Sequence, residues 1–194
     1  MKNWKKELLT VPNLLSLFRL VLIPVYVVIY LNATVSNDYF IAAAILAVSC
    51  MTDLIDGKIA RHFNMVTAVG KILDPFADKA TQFTLIVCLA LKYHIIRYMV
   101  VLFFVKEVFQ LIAGLLTMRK GRMLKGALLS GKICTTILFI SLIIMILIPD
   151  LSENIINTIA LIDIAFLLTS FADYIATYLF FPTRFEPFEK PSMH

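Results

Sequence analysis

The chain has 194 residues, of which 60% are hydrophobic and only 16% charged, and its mean hydropathy is +0.88. Soluble domains average about 45–50% apolar and about 25% charged residues, so this composition excludes an ordinary water-soluble protein. The net charge of +5 does not indicate nucleic-acid binding, because the basic residues fall between apolar segments. The three cysteines lie far apart within apolar runs, which indicates neither a disulfide framework nor a zinc site.

The first twelve residues combine several lysines with Trp4 and two leucines. This mixture is typical of a short amphipathic helix at the membrane interface. A cleavable signal peptide is the competing interpretation, because a basic start precedes an apolar stretch. Arg19 argues against it, since this charge interrupts the apolar core that a signal peptide requires. We therefore expect residues 1–12 to be a juxtamembrane segment, with Pro12 turning the chain into the bilayer.

Six apolar runs follow, and each predicts a helix. A helix that crosses a bilayer needs about 20 apolar residues, and the second and third runs reach that length only if their polar ends are included. The runs cover residues 14–31, 38–52, 80–91, 95–118, 127–149 and 154–181. The sequence thus predicts an all-α integral membrane protein with six transmembrane helices, forming a single domain over residues 1–194.

Basic residues are unevenly distributed between the connecting segments. Segments 32–38 and 149–154 contain no Lys or Arg, whereas segments 1–6, 58–71 and 119–125 are rich in them. By the positive-inside rule, the basic segments are cytoplasmic. We therefore expect a multi-pass protein of the cell membrane whose termini and active site face the cytoplasm.

Four aspartates form the most informative pattern. Asp53 and Asp56 are three residues apart, and Asp74 and Asp78 are four apart, so each pair occupies one face of a helix. The connection 61–69 is short enough to make these helices antiparallel neighbours. The four carboxylates are therefore predicted to meet at one site near the cytoplasmic surface.

Uncompensated carboxylates in a membrane segment are costly, at about 2.5 kcal/mol or more each. A divalent cation would remove this cost. Oxygen ligands without nearby His or Cys favour magnesium, manganese or calcium, and magnesium commonly accompanies phosphates. Four carboxylates could hold two ions, an arrangement suited to phosphoryl chemistry.

Three neighbouring residues suit a bulky anionic ligand. Gly57 and Gly70 lack a Cβ, which would let a ligand or another backbone approach the carboxylates. Close helix packing is the alternative for both. Arg61 offers donors arranged for phosphate, and a simple topology anchor is its alternative role.

Residues 53–78 fit the pattern D-x-x-D-G-x-x-A-R-x8-G-x-x-x-D-x-x-x-D at all its fixed positions. In this the chain resembles the CDP-alcohol phosphotransferase family. Residues 12–19 are similar to that family's N-terminal segment, and residues 70–79 to its bacterial phosphatidylglycerophosphate synthase branch. The resemblance extends over nearly the whole chain, and the length and six spans agree with it.

The resemblance implies that an acceptor hydroxyl displaces CMP from a CDP-linked lipid with the help of two divalent cations, Mg²⁺ or Mn²⁺. It implies that Asp53, Asp56 and Asp74 are shared metal ligands, and that Asp78 holds the second metal and acts as general base. A homodimer is expected on the same ground. The residues implied at the CDP site are Gly57, Ala60, Arg61 and Gly70, with Asn13, Ser16 and Arg19 completing the cavity from the first helix.

The acceptor is the least determined part of this hypothesis. We expect CDP-diacylglycerol and glycerol 3-phosphate as substrates, within a bilayer of membrane lipids and with no nucleic acid as partner. The branch usually has Arg where Lys106 stands, another Arg near Gly114, and Lys where Cys134 stands. Because expected cations are missing, a cardiolipin synthase using phosphatidylglycerol stays open. The cations that could bind an acceptor phosphate are Lys106, Arg119, Arg122, Lys125 and Lys132, and topology anchoring is the alternative for each.

A cation transporter is the alternative from another class. Asp163 and Asp173 could extend an ion path, or else pair with buried cations or line the cytoplasmic cavity. Transporters usually place ion sites near the midplane between repeated halves. Here the aspartates cluster at one end of their helices and no repeat is visible, which favours the enzyme.

Overall fold

A computed structural model describes residues 10–62, 67, 70–126, 128–148 and 150–187, with side chains at all of these except 36, 53–62, 71 and 72. Most of these residues are helical. The helices are α1 (Val11–Leu31), α2 (Ser36–His62), α3 (Gly70–Lys92), α4 (Ile96–Arg119), α5 (Leu129–Leu147) and α6 (Glu153–Phe180). A 3-10 turn (Pro182–Arg184) and two strands, β1 (Arg122–Leu124) and β2 (Phe185–Pro187), complete the described elements.

Four of these helices, α1, α4, α5 and α6, are long and apolar enough to cross a bilayer. Within α2 the apolar part is shorter, at Asn37–Thr52, and α3 carries several charges near its start. Large apolar side chains on the outer faces are widely exposed, for example Tyr98 at 72% and Leu111 at 63%. The all-α, multi-pass membrane class is therefore confirmed, while the count of six spans stays a prediction.

The predicted juxtamembrane segment lies mostly outside the described residues, since residues 1–9 are not among them. Its last two residues already belong to α1, which begins at Val11. Pro12 fits that first turn, where a residue without a backbone N–H loses no helical hydrogen bond. Helix α1 therefore begins within the predicted segment, and the juxtamembrane role of residues 1–12 stays a prediction.

The chain divides into two compact units. The first comprises the described residues up to Lys92 together with Ile143–Asp150. Here α1 packs against both α2 and α3, and Tyr26, Leu46 and Leu85 from these three helices are buried around a small apolar cavity. The C-terminal half of α1 is packed against α2 and α3. This packing fixes the position of the first turns of α1, which carry its polar side chains.

The second unit comprises Tyr93–Leu142 and the described residues from Leu151 onward. Helix α4 packs against α6, where the Phe109 ring meets the edges of Phe171 and Tyr178 at centroid distances of 5.4 and 6.2 Å. Strand β1 pairs antiparallel with β2, linking the segment after α4 to the segment after α6. The sequence analysis did not predict this pairing, because three-residue strands leave no clear periodicity.

Candidate functional site

In the first unit, polar side chains of α1 bind the carboxylates of α3. Ser16 Oγ donates a hydrogen bond to Asp74 Oδ1 over 2.5 Å. One turn further along both helices, Arg19 Nη1 forms an ion pair with Asp78 Oδ1. The second contact lies C-terminal to the first on both helices, so α1 and α3 run parallel at this point.

Helical periodicity explains this arrangement. Ser16 and Arg19 are three residues apart on α1, while Asp74 and Asp78 are four apart on α3, so each pair lies on one face of its helix. Because the rise per residue is the same in both helices, two matched contacts hold them in register. The N-terminal motif and the second aspartate pair therefore belong to one site.

Burial differs sharply between the two sides of this site. Ser16 and Arg19 are almost completely buried, whereas the side chain of Asp78 is 47% exposed. A buried guanidinium needs a compensating partner, and the Asp78 carboxylate supplies it. The carboxylates thus lie between a buried layer of donors and an accessible region where a ligand can reach them.

Gly70 marks a close approach between α1 and the start of α3. A Cβ at this position would lie 2.5 Å from Asn13 Oδ1 and 3.1 Å from Thr67 Oγ1. Asn13 is itself buried, and its Nδ2 donates a hydrogen bond to Thr67 Oγ1 over 2.9 Å. This geometry favours the packing role for Gly70 over direct contact with a ligand.

The other predicted site residues on α2 have a helical backbone, but their side chains lie outside the described part of the structure. The structure therefore describes only the carboxylate pair on α3, and the convergence of the two pairs stays a prediction. The residues concerned are Asp53, Asp56, Gly57, Ala60 and Arg61.

Two described carboxylates supply the type of oxygen ligand that hard divalent cations prefer. Asp74 and Asp78 present carboxylate oxygens on one helix face, and their neighbours from α1 are a hydroxyl and a guanidinium. Among the side chains that the structure describes, no group of three or more His, Cys, Asp or Glu residues could hold a metal ion. A complete metal site thus needs further carboxylates, and Asp53 and Asp56 are the ones that the sequence pattern supplies.

In the second unit, Lys106 of α4 is buried and already has partners. Its Nζ donates hydrogen bonds to Glu107 Oε1 over 2.9 Å and to Gln110 Oε1 over 3.0 Å, and it lies 5.8 Å from the centre of the Tyr174 ring. Its charge is therefore compensated within α4. The remaining predicted acceptor residues are solvent-exposed, namely Arg119, Arg122, Lys125 and Lys132.

Two aspartates of α6 bind hydroxyls of α5. Asp173 Oδ2 accepts a hydrogen bond from Ser130 Oγ over 2.5 Å, and Asp173 Oδ1 lies 3.7 Å from Nη1 of the exposed Arg184. Asp163 is buried and accepts a hydrogen bond from Ser141 Oγ over 3.0 Å. Within the described residues a serine, and not a buried cation, is the partner of Asp163. The alternative that these aspartates line the cytoplasmic cavity stays a prediction.

The sequence analysis overlooked a tight contact at the start of α5. A Cβ on Gly131 would lie 2.7 Å from the Tyr174 hydroxyl oxygen and 2.9 Å from the ring. Glycine thus lets α6 bring Tyr174 against α5, beneath the buried Lys106. The glycine next to Lys132 was the available signal, although sequence alone does not identify its partner.

Comparison with known proteins decides the family. A family model described as CDP-alcohol phosphatidyltransferase matches residues 9–174, which is most of the chain. The chain belongs to this family. The match includes α1 as well as the aspartate segment, so the Ser16–Asp74 and Arg19–Asp78 contacts both lie within the family domain.

Individual relatives are similar over a shorter stretch. Proteins from Escherichia coli (strain K12), Escherichia coli O157:H7 and Shigella sonnei (strain Ss046), each named CDP-diacylglycerol–glycerol-3-phosphate 3-phosphatidyltransferase, are 44% identical over 85 residues. The aligned stretch covers 43% of this chain and 46% of each relative. The chain thus spans less than half the length of these curated relatives.

Proposed function

We propose that this protein transfers the phosphatidyl group of CDP-diacylglycerol to glycerol 3-phosphate in phospholipid biosynthesis, giving phosphatidylglycerophosphate and CMP. The proposal rests on family membership and on the name shared by the 44% identical relatives. The structural observation that carries it is the pairing of Asp74 and Asp78 with buried donors of α1. This pairing holds two carboxylates on one accessible face, as metal-assisted transfer requires.

In the proposed reaction, the acceptor hydroxyl oxygen forms a bond to the phosphatidyl phosphorus while the bond from that phosphorus to the CMP oxygen breaks. Two divalent cations, Mg²⁺ or Mn²⁺, would supply charge stabilisation for the transferring phosphate. Asp53, Asp56 and Asp74 would hold them together with Asp78. Asp78 would also accept the hydroxyl proton, because its carboxylate is 47% exposed and can be reached by an acceptor.

The buried donors of α1 have a different role in this proposal from the one implied by resemblance. Ser16 and Arg19 would orient the carboxylates, since each already binds one of their oxygens. Asn13 would support the start of α3 through Thr67. The CDP moiety would then be bound mainly by Gly57, Ala60 and Arg61 of α2.

Phosphatidylglycerol is the alternative acceptor, which would make the protein a cardiolipin synthase. The compensated charge of Lys106 favours this alternative, because Glu107 and Gln110 already accept hydrogen bonds from its ammonium group. The buried Cys134 stands where the branch has a lysine, which removes another cation. Against it, exposed cations such as Lys132 can still bind the phosphate of glycerol 3-phosphate, and the name of the relatives supports that acceptor.

A CMP-release assay with purified enzyme tests the proposal. CDP-diacylglycerol and Mg²⁺ or Mn²⁺ are supplied with glycerol 3-phosphate, phosphatidylglycerol, serine or inositol phosphate as acceptor, and the lipid product is identified by mass. We expect metal-dependent release of CMP with glycerol 3-phosphate. Release of CMP only with phosphatidylglycerol would identify a cardiolipin synthase. No release of CMP with any acceptor would refute the proposal that the protein is a phosphatidyltransferase.

The orientation is also a proposal, because the placement of the active site and both termini on the cytoplasmic side rests on charge distribution alone. Reporter fusions within residues 61–69 and after His194 should both read as cytoplasmic. Chemical crosslinking in native membranes tests the homodimer that the family resemblance implies.

A further inference from the structure

The two strands of the second unit form a small platform at one end of α4 and α6. Strand β1 pairs with β2, Leu124 lying opposite Phe185, and Lys125 N donates a hydrogen bond to Arg184 O over 3.0 Å. Both helices are long and apolar enough to cross a bilayer, and the strands follow their last residues. The strand pair, hereafter the ladder (residues 122–124 and 185–187), therefore lies at the boundary between membrane and water.

Basic side chains dominate the ladder and its flanks. The ladder carries one carboxylate among its described residues, that of Glu186. The nearby Asp173 accepts a hydrogen bond from Ser130 and forms an ion pair with Arg184. The surface therefore has an excess of positive charge, because its basic side chains outnumber these two carboxylates. The exposed cations are Arg119, Lys120, Arg122, Lys125 and Arg184.

An apolar rim lies next to these cations. Leu179 and Phe180, in the last turn of α6, are 68% and 72% exposed, and Phe181 is 46% exposed. The Arg184 guanidinium lies over the Phe181 ring, 5.4 Å from its centre. Aromatic rings at the lipid boundary with a cation above them match the layered chemistry of a phospholipid, whose acyl chains lie below its phosphate.

The backbone holds this surface in one shape. Gly121 and Gly126, with φ of +71° and +137°, flank β1 in conformations that side-chain-bearing residues rarely adopt. Phe185 packs on Tyr178 of α6 with a ring-centroid distance of 5.5 Å. Residues that only set topology need no such fixed arrangement, whereas a headgroup site does.

We propose that the ladder binds the headgroup of an anionic phospholipid, with one acyl chain lying along the exposed end of α6. Clusters of basic residues at the end of a membrane helix attract anionic lipids. A soluble acceptor phosphate could use the same cations, but the exposed apolar rim beside them suits a lipid. Because Arg122 and Lys125 are also candidate acceptor-binding residues, the experiment must separate a lipid site from an acceptor site.

Native mass spectrometry of the detergent-purified full chain tests the proposal. Phosphatidylserine serves as the anionic probe, because it is neither substrate nor product of the proposed reactions, and phosphatidylcholine is the zwitterionic reference. The double variant Arg122→Gln/Lys125→Gln should bind phosphatidylserine at least about tenfold more weakly, given the attraction of a single cation to an anionic surface. Its binding of phosphatidylcholine should not change.

The matched control is Lys92→Gln/Arg97→Gln, which removes the same number of charges at the last residue of α3 and in the first turn of α4. It should retain phosphatidylserine binding, and an equal loss there would reduce the effect to net charge and overturn the proposal. Unchanged binding in the Arg122/Lys125 variant would overturn it too. So would displacement of phosphatidylserine by saturating glycerol 3-phosphate, since the cations would then belong to the acceptor site.

A variant without charge change tests the ladder itself. Gly126→Val keeps every cation but cannot adopt the backbone conformation that positions β1. It should lose the preference for phosphatidylserine over phosphatidylcholine, with thermal denaturation confirming that the protein remains folded. Full preference in a folded Gly126→Val protein contradicts a site built by the ladder; if this variant does not fold, the charge variants alone decide.

Discussion

Arg19 of α1 and Asp78 of α3 form an ion pair in which the arginine is 2% exposed and the aspartate 47% exposed. The two partners are therefore not equivalent. Loss of the aspartate charge leaves a buried guanidinium without this partner, whereas loss of the arginine leaves a carboxylate that water can reach. The proposed general base is thus also a structural counter-ion.

A double-mutant cycle on this pair measures the coupling. We expect Asp78→Asn and Arg19→Gln each to destabilise the protein by about 1–3 kcal/mol, which is the range for charge-assisted hydrogen bonds. The double variant should be less unstable than the sum of the two, with a coupling energy of about 1–2 kcal/mol. Thermal and denaturant unfolding in detergent provide these values, and strict additivity would show that the pair contributes nothing.

Ser16→Ala removes the hydroxyl that binds Asp74 without changing the charge of the site. Because hydrogen-bonded neighbours orient metal-binding carboxylates, we expect the affinity for Mn²⁺ to fall about 10-fold. Titration of the purified protein with Mn²⁺, followed by electron paramagnetic resonance, measures this directly. Ser130→Ala, which removes a similar hydroxyl–carboxylate bond at Asp173, is the matched control and should leave Mn²⁺ binding unchanged.

Gly70→Ala places a methyl group against the Asn13 side chain, which must move from its hydrogen bond with Thr67. Overpacking of this kind costs about 1–3 kcal/mol. The double variant Gly70→Ala/Asn13→Ala also shortens the side chain at position 13. It should recover part of the lost stability, because the methyl group at position 70 then has room. A Gly70→Ala protein as stable as the wild type would show that α1 and α3 are less closely packed than the structure indicates.

Helical periodicity was enough to predict most of this architecture. The apolar runs predicted six helices, with bounds within about three residues of the observed ones except at the end of α2 and the start of α3, where the polar aspartate segments extend each helix by ten residues. The spacing of Asp74 and Asp78 put both on one face. Their partners were harder to predict, because the contacts of Ser16 and Arg19 join positions 58 and 59 residues apart. Resemblance placed these residues near the ligand, while the structure shows that they bind the carboxylates.

The ladder, in contrast, could not be predicted from the sequence. Its strands are three residues long and about sixty positions apart, so neither alternation nor a hairpin turn announces them. The basic residues of the first strand were visible in the sequence, but their charges fit topology, acceptor binding and lipid binding equally well. Only the pairing with the segment after α6 brings Arg122 and Arg184 to one surface.

Changing the aspartates singly to asparagine tests the proposed mechanism, because asparagine preserves size and removes charge. Variants at Asp53, Asp56 or Asp74 should lose at least about 4 kcal/mol of transition-state stabilisation, roughly a thousandfold in kcat/KM, and higher metal concentration should recover part of it. In Asp78→Asn the proton acceptor is lost as well, so activity should stay low at saturating metal.

The ion pair with Arg19 complicates that last variant, since Asp78→Asn also removes a structural partner. Arg19→Gln provides the control, because it breaks the same pair but keeps the carboxylate. If Asp78 is the base, Arg19→Gln should retain at least about tenfold more activity than Asp78→Asn when both are assayed as folded protein at saturating metal, as expected for general base catalysis. Equal activity of the two variants would reduce the role of Asp78 to its pairing with Arg19, and near-normal turnover in all four aspartate variants would refute metal-assisted phosphatidyl transfer altogether.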